Sequence, residues 1–258
     1  MFVKIRILGD CDEIGLYICE LSRSFMIEHI LLKNGFWNFN LKFWKGNSYQ
    51  YDDVKIFDTS VLVVDTSSLN SEFYSMSSKE KKRIRNFWIK ALPFLINVEY
   101  LMTTHQIDQE FFDAICEMKN LKGLYIKWGK IESCKKIEKL ILLEHLYFGS
   151  NPRLPSFEGF ESLRNLKHLE VENVKPLADF SPLENLDSLI TLKITGTVDK
   201  ALSIDNLYFL NKFKNIEELT LGISLKIKDL EPLKNLEKLR YLWLPASLLK
   251  KFEKEKLE

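Results

Sequence analysis

From residue 98 onward the chain restarts one phrase, Leu-x-x-Leu-x-Leu, about every 23 residues. The starts are Val98, Leu121, Leu143, Leu166, Leu189, Ile216 and Leu239, giving intervals of 23, 22, 23, 23, 27 and 23 residues. A period of this size marks stacked units, none of which can bury its apolar face alone. It constrains the architecture to an elongated solenoid, in which each unit packs on its neighbours. It leaves the chemistry open, because a repeat scaffold presents a surface and function depends on what that surface meets.

Within each unit, positions one, four and six are apolar and spaced for a strand: Leu121, Leu124, Ile126; Leu143, Leu146, Phe148; Leu166, Leu169, Val171. The series continues through Leu189, Leu192, Ile194; Ile216, Leu219, Leu221; and Leu239, Leu242, Leu244. The first unit is weaker, with Thr103 at position six. Four further apolar positions follow at a spacing of three, as in Leu154, Phe157, Phe160 and Leu163. That spacing predicts a 3₁₀ or short α turn on the returning limb, since 3₁₀ side chains stack every third residue. The longest interval places an insertion near Lys200–Ser203.

These columns resemble the leucine-rich repeat superfamily, and its short, internalin-like class in particular. The segments Asp179-Phe-Ser-Pro-Leu-Glu-Asn-Leu-Asp-Ser-Leu189 and Asp229-Leu-Glu-Pro-Leu-Lys-Asn-Leu-Glu-Lys-Leu239 carry the resemblance, which covers residues 95–247. It implies an α/β solenoid with a parallel concave sheet and a convex side of 3₁₀ turns and short helices. The family usually places Asn at position nine, where its side chain bridges neighbouring coils. Here only Asn151 does so, with Gln106, Gly129, Val174, Thr197, Ser224 and Ser247 elsewhere in the column. A less regular solenoid is expected.

Upstream, residues 61–97 read as a degenerate first repeat. Val61-Leu-Val-Val64 is a short buried strand, and Ile84, Trp88, Leu92 and Leu95 share a helical face that Pro93 ends or kinks. Residues 1–60 read as an α/β cap, because a solenoid needs its open ends covered. Within them, Asp10-Cys-Asp-Glu13 suits a helix start, and Asn34-Gly35 between apolar runs suits a hairpin turn. On the second run Trp37, Phe39, Leu41 and Phe43 share one face. The polar residues 248–258 read as a C-terminal tail or cap.

Side chains alternate across a strand, so positions three, five, seven and eight face away from the core into the concavity. The candidate partner-binding residues on that face are Tyr100, Met102, Tyr125, Lys127, Trp128, His145, Tyr147, His168, Glu170, Glu172, Lys193, Tyr241 and Trp243. Exposed aromatics on a stiff sheet bury large areas at low entropic cost, which favours protein docking. The same rings also suit cross-strand packing, which stabilises sheets.

Composition narrows the remaining classes. Net charge is +1, with Lys+Arg 37 against Asp+Glu 36, so no global field steers the chain to nucleic acid or anionic lipid. No apolar run approaches the roughly 18 residues of a membrane span. The alternating start Met1-Phe-Val-Lys-Ile-Arg-Ile-Leu8 reads as a strand rather than a secretory signal. Four cysteines show neither CxxC spacing nor a disulfide framework, pointing to a reducing cytoplasm. His145, His168 and Glu170 make a thin case for zinc, and no nucleophile or oxyanion donor stands beside them. Asp58-Thr-Ser60 and Asp65-Thr-Ser67 suit turns and caps, and basic Lys79–Arg85 suits a solvated helix start. The expectation is a cytoplasmic, monomeric, non-enzymatic module without cofactor or metal. It would bind a protein partner on its concave face, as an inhibitor or immunity-type protein masking a toxin or enzyme does. A substrate-recruiting subunit or adaptor of an enzyme complex is the alternative.

Overall fold

The computed structural model describes residues 4–6, 44, 48–49, 51, 53–66, 71–174, 178–196, 202–222, 225–227, 229–246 and 248. The helix expected after Asp10, the Asn34-Gly35 hairpin, the face from Trp37 to Phe43, and residues 249–258 lie outside them. The repeat phrase becomes a row of parallel strands: β2 (Val61–Val64), β3 (Tyr100–Asp108), β4 (Gly123–Lys130), β5 (His145–Ser150), β6 (His168–Glu172), β7 (Thr191–Thr195), β9 (Glu218–Leu221) and β11 (Tyr241–Trp243). They follow one another in sequence order across one sheet. β1 (Lys4–Arg6) joins beyond β11, with Lys4 opposite Tyr241. Short β8 (Leu202–Ile204) and β10 (Leu225–Ile227) form a separate parallel pair. β10 falls in an ordinary 23-residue interval and β8 stands 23 residues before it, so the pair belongs to the repeat itself and the extra residues of the 27-residue interval precede β8.

Register follows the columns. Leu62, Leu101, Leu124, Leu146, Leu169, Leu192, Leu219 and Leu242 lie opposite one another strand by strand, and all are buried. A one-residue slip would turn each of these leucines to the other face of the sheet, so the apolar column fixes the pairing. Thr103, the weak position six of the first unit, is fully buried, and its hydroxyl donates to the Tyr125 carbonyl at 3.5 Å.

The returning limbs are 3₁₀ turns at Lys135–Lys139, Phe160–Ser162, Ser181–Asn185, Tyr208–Lys212 and Glu231–Asn235, as the spacing of three predicts. Pro182 and Pro232 stand in the first turn of theirs, where a missing N–H costs nothing. A spine of rings runs along the inside of these limbs, Phe148 to Phe160, Phe157, Phe180 and Phe209, with centroids 4.9–6.1 Å apart.

The first two coils return by true helices instead. α1 (Ser71–Ser75) and α2 (Ser78–Ala91) follow β2, and α3 (Gln109–Ile115) follows β3. α2 starts on a capping box, in which Ser77 Oγ accepts from the Glu80 N–H and the Glu80 carboxylate accepts from the Ser77 N–H. It buries Ile84 and Trp88 and gives way to a 3₁₀ turn at Leu92–Phe94, where Pro93 stands. No helix among the described residues is long and apolar enough to cross a membrane.

A tie between coils compensates for the poor asparagine column at position nine. Asn97, Asn120, Asn165 and Asn215 each stand immediately before a repeat phrase. Their Nδ2 groups donate to the backbone carbonyls of Phe57, Ile96, Ile141 and Asp187 in the preceding coil, at 2.7–2.8 Å. Charges one residue past the phrase start alternate in sign along the chain and pair similarly: Lys122 with Glu99, Lys167 with Glu144, Arg240 with Glu217.

Candidate functional site

The concave face divides into two halves, and the sequence reading of it needs correction in the first. Column five runs in register through Val63, Met102, Tyr125, Tyr147, Glu170, Lys193, Thr220 and Trp243. Its first four members are buried and form a second apolar cluster with Trp44. Tyr125 and Tyr147 stack with centroids 4.1 Å apart and planes 6° from parallel, and Trp44 meets Tyr125 edge-on at 6.5 Å. The expectation that Met102, Tyr125 and Tyr147 face solvent therefore fails. Large flat apolar side chains opposite one another on adjacent strands exclude water more favourably by stacking and by covering than by standing open.

Column three behaves alike. His145 and His168 stack at 4.7 Å with planes 16° apart, and both are buried. His168 Nδ1 lies 2.8 Å from Thr191 Oγ1 in the next strand. Glu170 is buried too, held by Lys193 Nζ at 2.6 Å. Burial pushes the Glu170 carboxyl above its ordinary range, and Lys193 offsets part of that. These three residues also depart from the expected solvent-facing position. Tyr147 donates its hydroxyl to Glu172 Oε2 at 2.6 Å, and burial raises the phenol pKa of both stacked tyrosines.

Of the thirteen expected contact residues, Tyr100, Lys127, Glu172, Lys193, Tyr241 and Trp243 are half-buried and Trp128 is exposed, at 39%. The sheet brings Lys193, Thr220 and Trp243 into one row, and Thr191, Glu218 and Tyr241 into the row beside it. Burial lifts the Glu218 carboxyl, with Glu217 adding to the effect. Trp128 stands apart near the carboxyl end of β4, with Lys127 Nζ 5.4 Å from its ring centroid.

The other candidates settle into structural roles. Cys116 and Cys134 are free and buried, and burial raises both thiols, which keeps them protonated and inert. Asp65 accepts from Thr104 Oγ1 at 2.6 Å, and Thr59 Oγ1 donates to the Val61 carbonyl at 2.7 Å. Among the described residues no group of three or more His, Cys, Asp or Glu side chains is placed to hold a metal ion.

His105, on β3, is half-buried and its ring meets Phe111 edge-on at 5.2 Å. Burial depresses its pKa to about 4, against weaker upward pulls from the Val64 carbonyl, 3.3 Å from Nδ1, and from Asp65 and Asp108. Beside it Arg85 binds Asp108 at 2.5 Å and Glu110 at 2.9 Å. Burial raises Asp108, but the Arg85 and Phe111 N–H hydrogen bonds outweigh it and hold the carboxyl low.

No family model matches the chain, and no curated protein matches it. Solved structures of leucine-rich repeat proteins do. Internalin C2 of Listeria monocytogenes is 19% identical over 59% of this chain and 74% of its own, with a TM-score of 0.43. A leucine-rich repeat protein of Leptospira interrogans is 22% identical over 60% of this chain and 38% of its own, with a TM-score of 0.46. The strand-by-strand register and 3₁₀ return limbs described above make the chain an α/β leucine-rich repeat solenoid in their own right.

Proposed function

We propose that this solenoid is a non-enzymatic, cytoplasmic protein-binding module that docks its partner on the C-terminal half of the concave sheet. The observation behind the reading is the in-register row Lys193, Thr220 and Trp243, flanked by Thr191, Glu218 and Tyr241, on a sheet whose other face is fixed by a continuous leucine core. A stiff backbone holding half-exposed aromatic and charged groups loses little entropy on docking. Trp243 and Tyr241 supply the area, and Lys193 with Glu218 supply polar register. The finer reading is a monomeric inhibitor or immunity-type protein that masks a toxin or enzyme, a role needing surface complementarity and no catalysis.

The test begins with capture of the partner from the source cells, followed by calorimetry with the purified pair. Trp243→Ala and Tyr241→Ala should each weaken binding about tenfold or more while leaving the circular dichroism spectrum unchanged. Tyr125→Ala and Tyr147→Ala, by contrast, should lower stability, because both rings are internal. Unchanged affinity in both C-terminal variants would remove this half of the sheet from consideration.

A further inference from the structure

The outward face of α2 carries a concentration of positive charge that no carboxylate of another element pairs with among the described residues. The helix holds six Lys or Arg against one Glu in a chain whose net charge is +1, so the remainder is net acidic. Lys79, Lys82, Arg83, Asn86 and Lys90 fall at helical spacings of three, four, seven and eleven, which places them on one stripe roughly 16 Å long. All five are exposed.

Several exposed cations elsewhere in the solenoid find a carboxylate one coil away, as Lys136 does with Asp113, Lys135 with Glu158 and Arg153 with Glu132. Exposed lysines without one among the described residues, such as Lys119 and Lys214, are not gathered on one helix face. Lys79, Lys82 and Lys90 have no carboxylate partner among the described residues. Arg83 donates to the Tyr51 hydroxyl and lies 5.4 Å over that ring, which holds the guanidinium in place without neutralising it.

Two depressions flank the helix and meet at Lys82. One, of about 480 Å³, is lined by Lys79, Lys82, Arg83, Asn86, Phe87 and Lys90. The other, of about 540 Å³, opens at the carboxyl ends of β3 and β4, where Phe73, Phe111 and Trp128 line it with Lys81, Lys82 and Arg85. Together they make a track with a cationic stretch and an aromatic end.

We infer that this track on α2 is a second docking surface, separate from the concave sheet, that takes an acidic polypeptide segment of a partner protein with an apolar residue seated beside Trp128. Charge complementarity selects the sign of the occupant. A polypeptide fits better than a nucleic acid for two reasons. Asp108 lines the aromatic end, which leaves that end suited to the one apolar residue seated there, and would repel a phosphate backbone continued into it. The rings also do not form a series of open stacking platforms: Phe87 packs edge-on to Tyr51 and Trp88, and Trp128 lies under Lys127.

The test is fluorescence anisotropy with a labelled peptide in which Glu alternates with Ser and one Phe stands at the end, titrated with the full chain at low and moderate salt. Binding should weaken with salt and fall about tenfold or more in the variant K79E/K82E/R83E/K90E. The control K119E/K212E/K214E/K226E reverses as many exposed cations elsewhere and should bind within about twofold of the parent. Should the first variant fail to fold by circular dichroism, K82A/K90A replaces it, since it leaves the Ser77–Glu80 cap intact, and is expected to lose about threefold or more. No measurable peptide binding, equal losses in patch and control variants, or tighter binding of an oligothymidylate of equal charge would each overturn the assignment.

Discussion

A methyl group added at Gly129 would stand 1.8 Å from Asn151 Oδ1 and 2.8 Å from its Cγ. Asn151 is fully buried in the next coil and donates Nδ2 to the Gly149 carbonyl at 2.6 Å. The one asparagine in the position-nine column therefore depends on the missing side chain one coil before it. Gly129→Ala must displace that amide. Overpacking costs about 1–3 kcal/mol, and the lost buried hydrogen bond adds to it, so a total of about 2–4 kcal/mol is expected. Asn151→Ala should cost about 1–3 kcal/mol, because the Gly149 carbonyl loses its donor. With the amide gone the added methyl has space, and the remaining close atom is Ile131 Cδ1 at 3.0 Å, the tip of a flexible side chain. The double variant should therefore lie within about 1 kcal/mol of Asn151→Ala alone, a strongly non-additive cycle. Gly149→Ala provides the contrast. Its methyl would meet the Lys127 and Ile126 carbonyls at 2.2 and 2.6 Å, and no side-chain truncation relieves a backbone clash. Urea unfolding followed by tryptophan fluorescence gives the four stabilities. Additive effects of Gly129→Ala and Asn151→Ala would refute the coupling.

Asn120→Ala and Asn165→Ala should each cost about 0.5–1.5 kcal/mol in urea unfolding, by removing one tie between coils. Ser188→Ala, in the same column without such a bond, should stay within about 0.5 kcal/mol. Stability should also depend on His105: the unfolded imidazole takes up a proton near pH 6.5, whereas the folded one does so only near 4. Between those values the unfolded chain binds more protons, so stability is complete above pH 6.5 and falls as pH drops, by about 2 kcal/mol from pH 7 to 5. His105→Gln should flatten that slope, as midpoints at the two pH values would report. Leu146→Ala, in the centre of the leucine column, should cost about 2–5 kcal/mol, measured as a lowered urea midpoint.

Sequence alone determined the stack of coils, the strand register and the 3₁₀ return limbs. Those features depend on which positions are apolar, and a periodic chain writes that pattern once per turn. The positions that escaped it depend on neighbours in other coils. Tyr125 and Tyr147 obey the outward alternation that the strand imposes, yet they are buried, because stacking between strands and the approach of Trp44 are set only when distant segments meet. The asparagines at 97, 120, 165 and 215 were visible as letters, but their use depends on which carbonyl the preceding coil presents. The same holds for charge: Lys135 and Lys82 look alike in the sequence, and only the folded stack decides that one faces Glu158 while the other faces water. Apolar periodicity is a local property and survives in one dimension; burial of the second face and pairing of charges are relations between coils, and tertiary structure alone creates them.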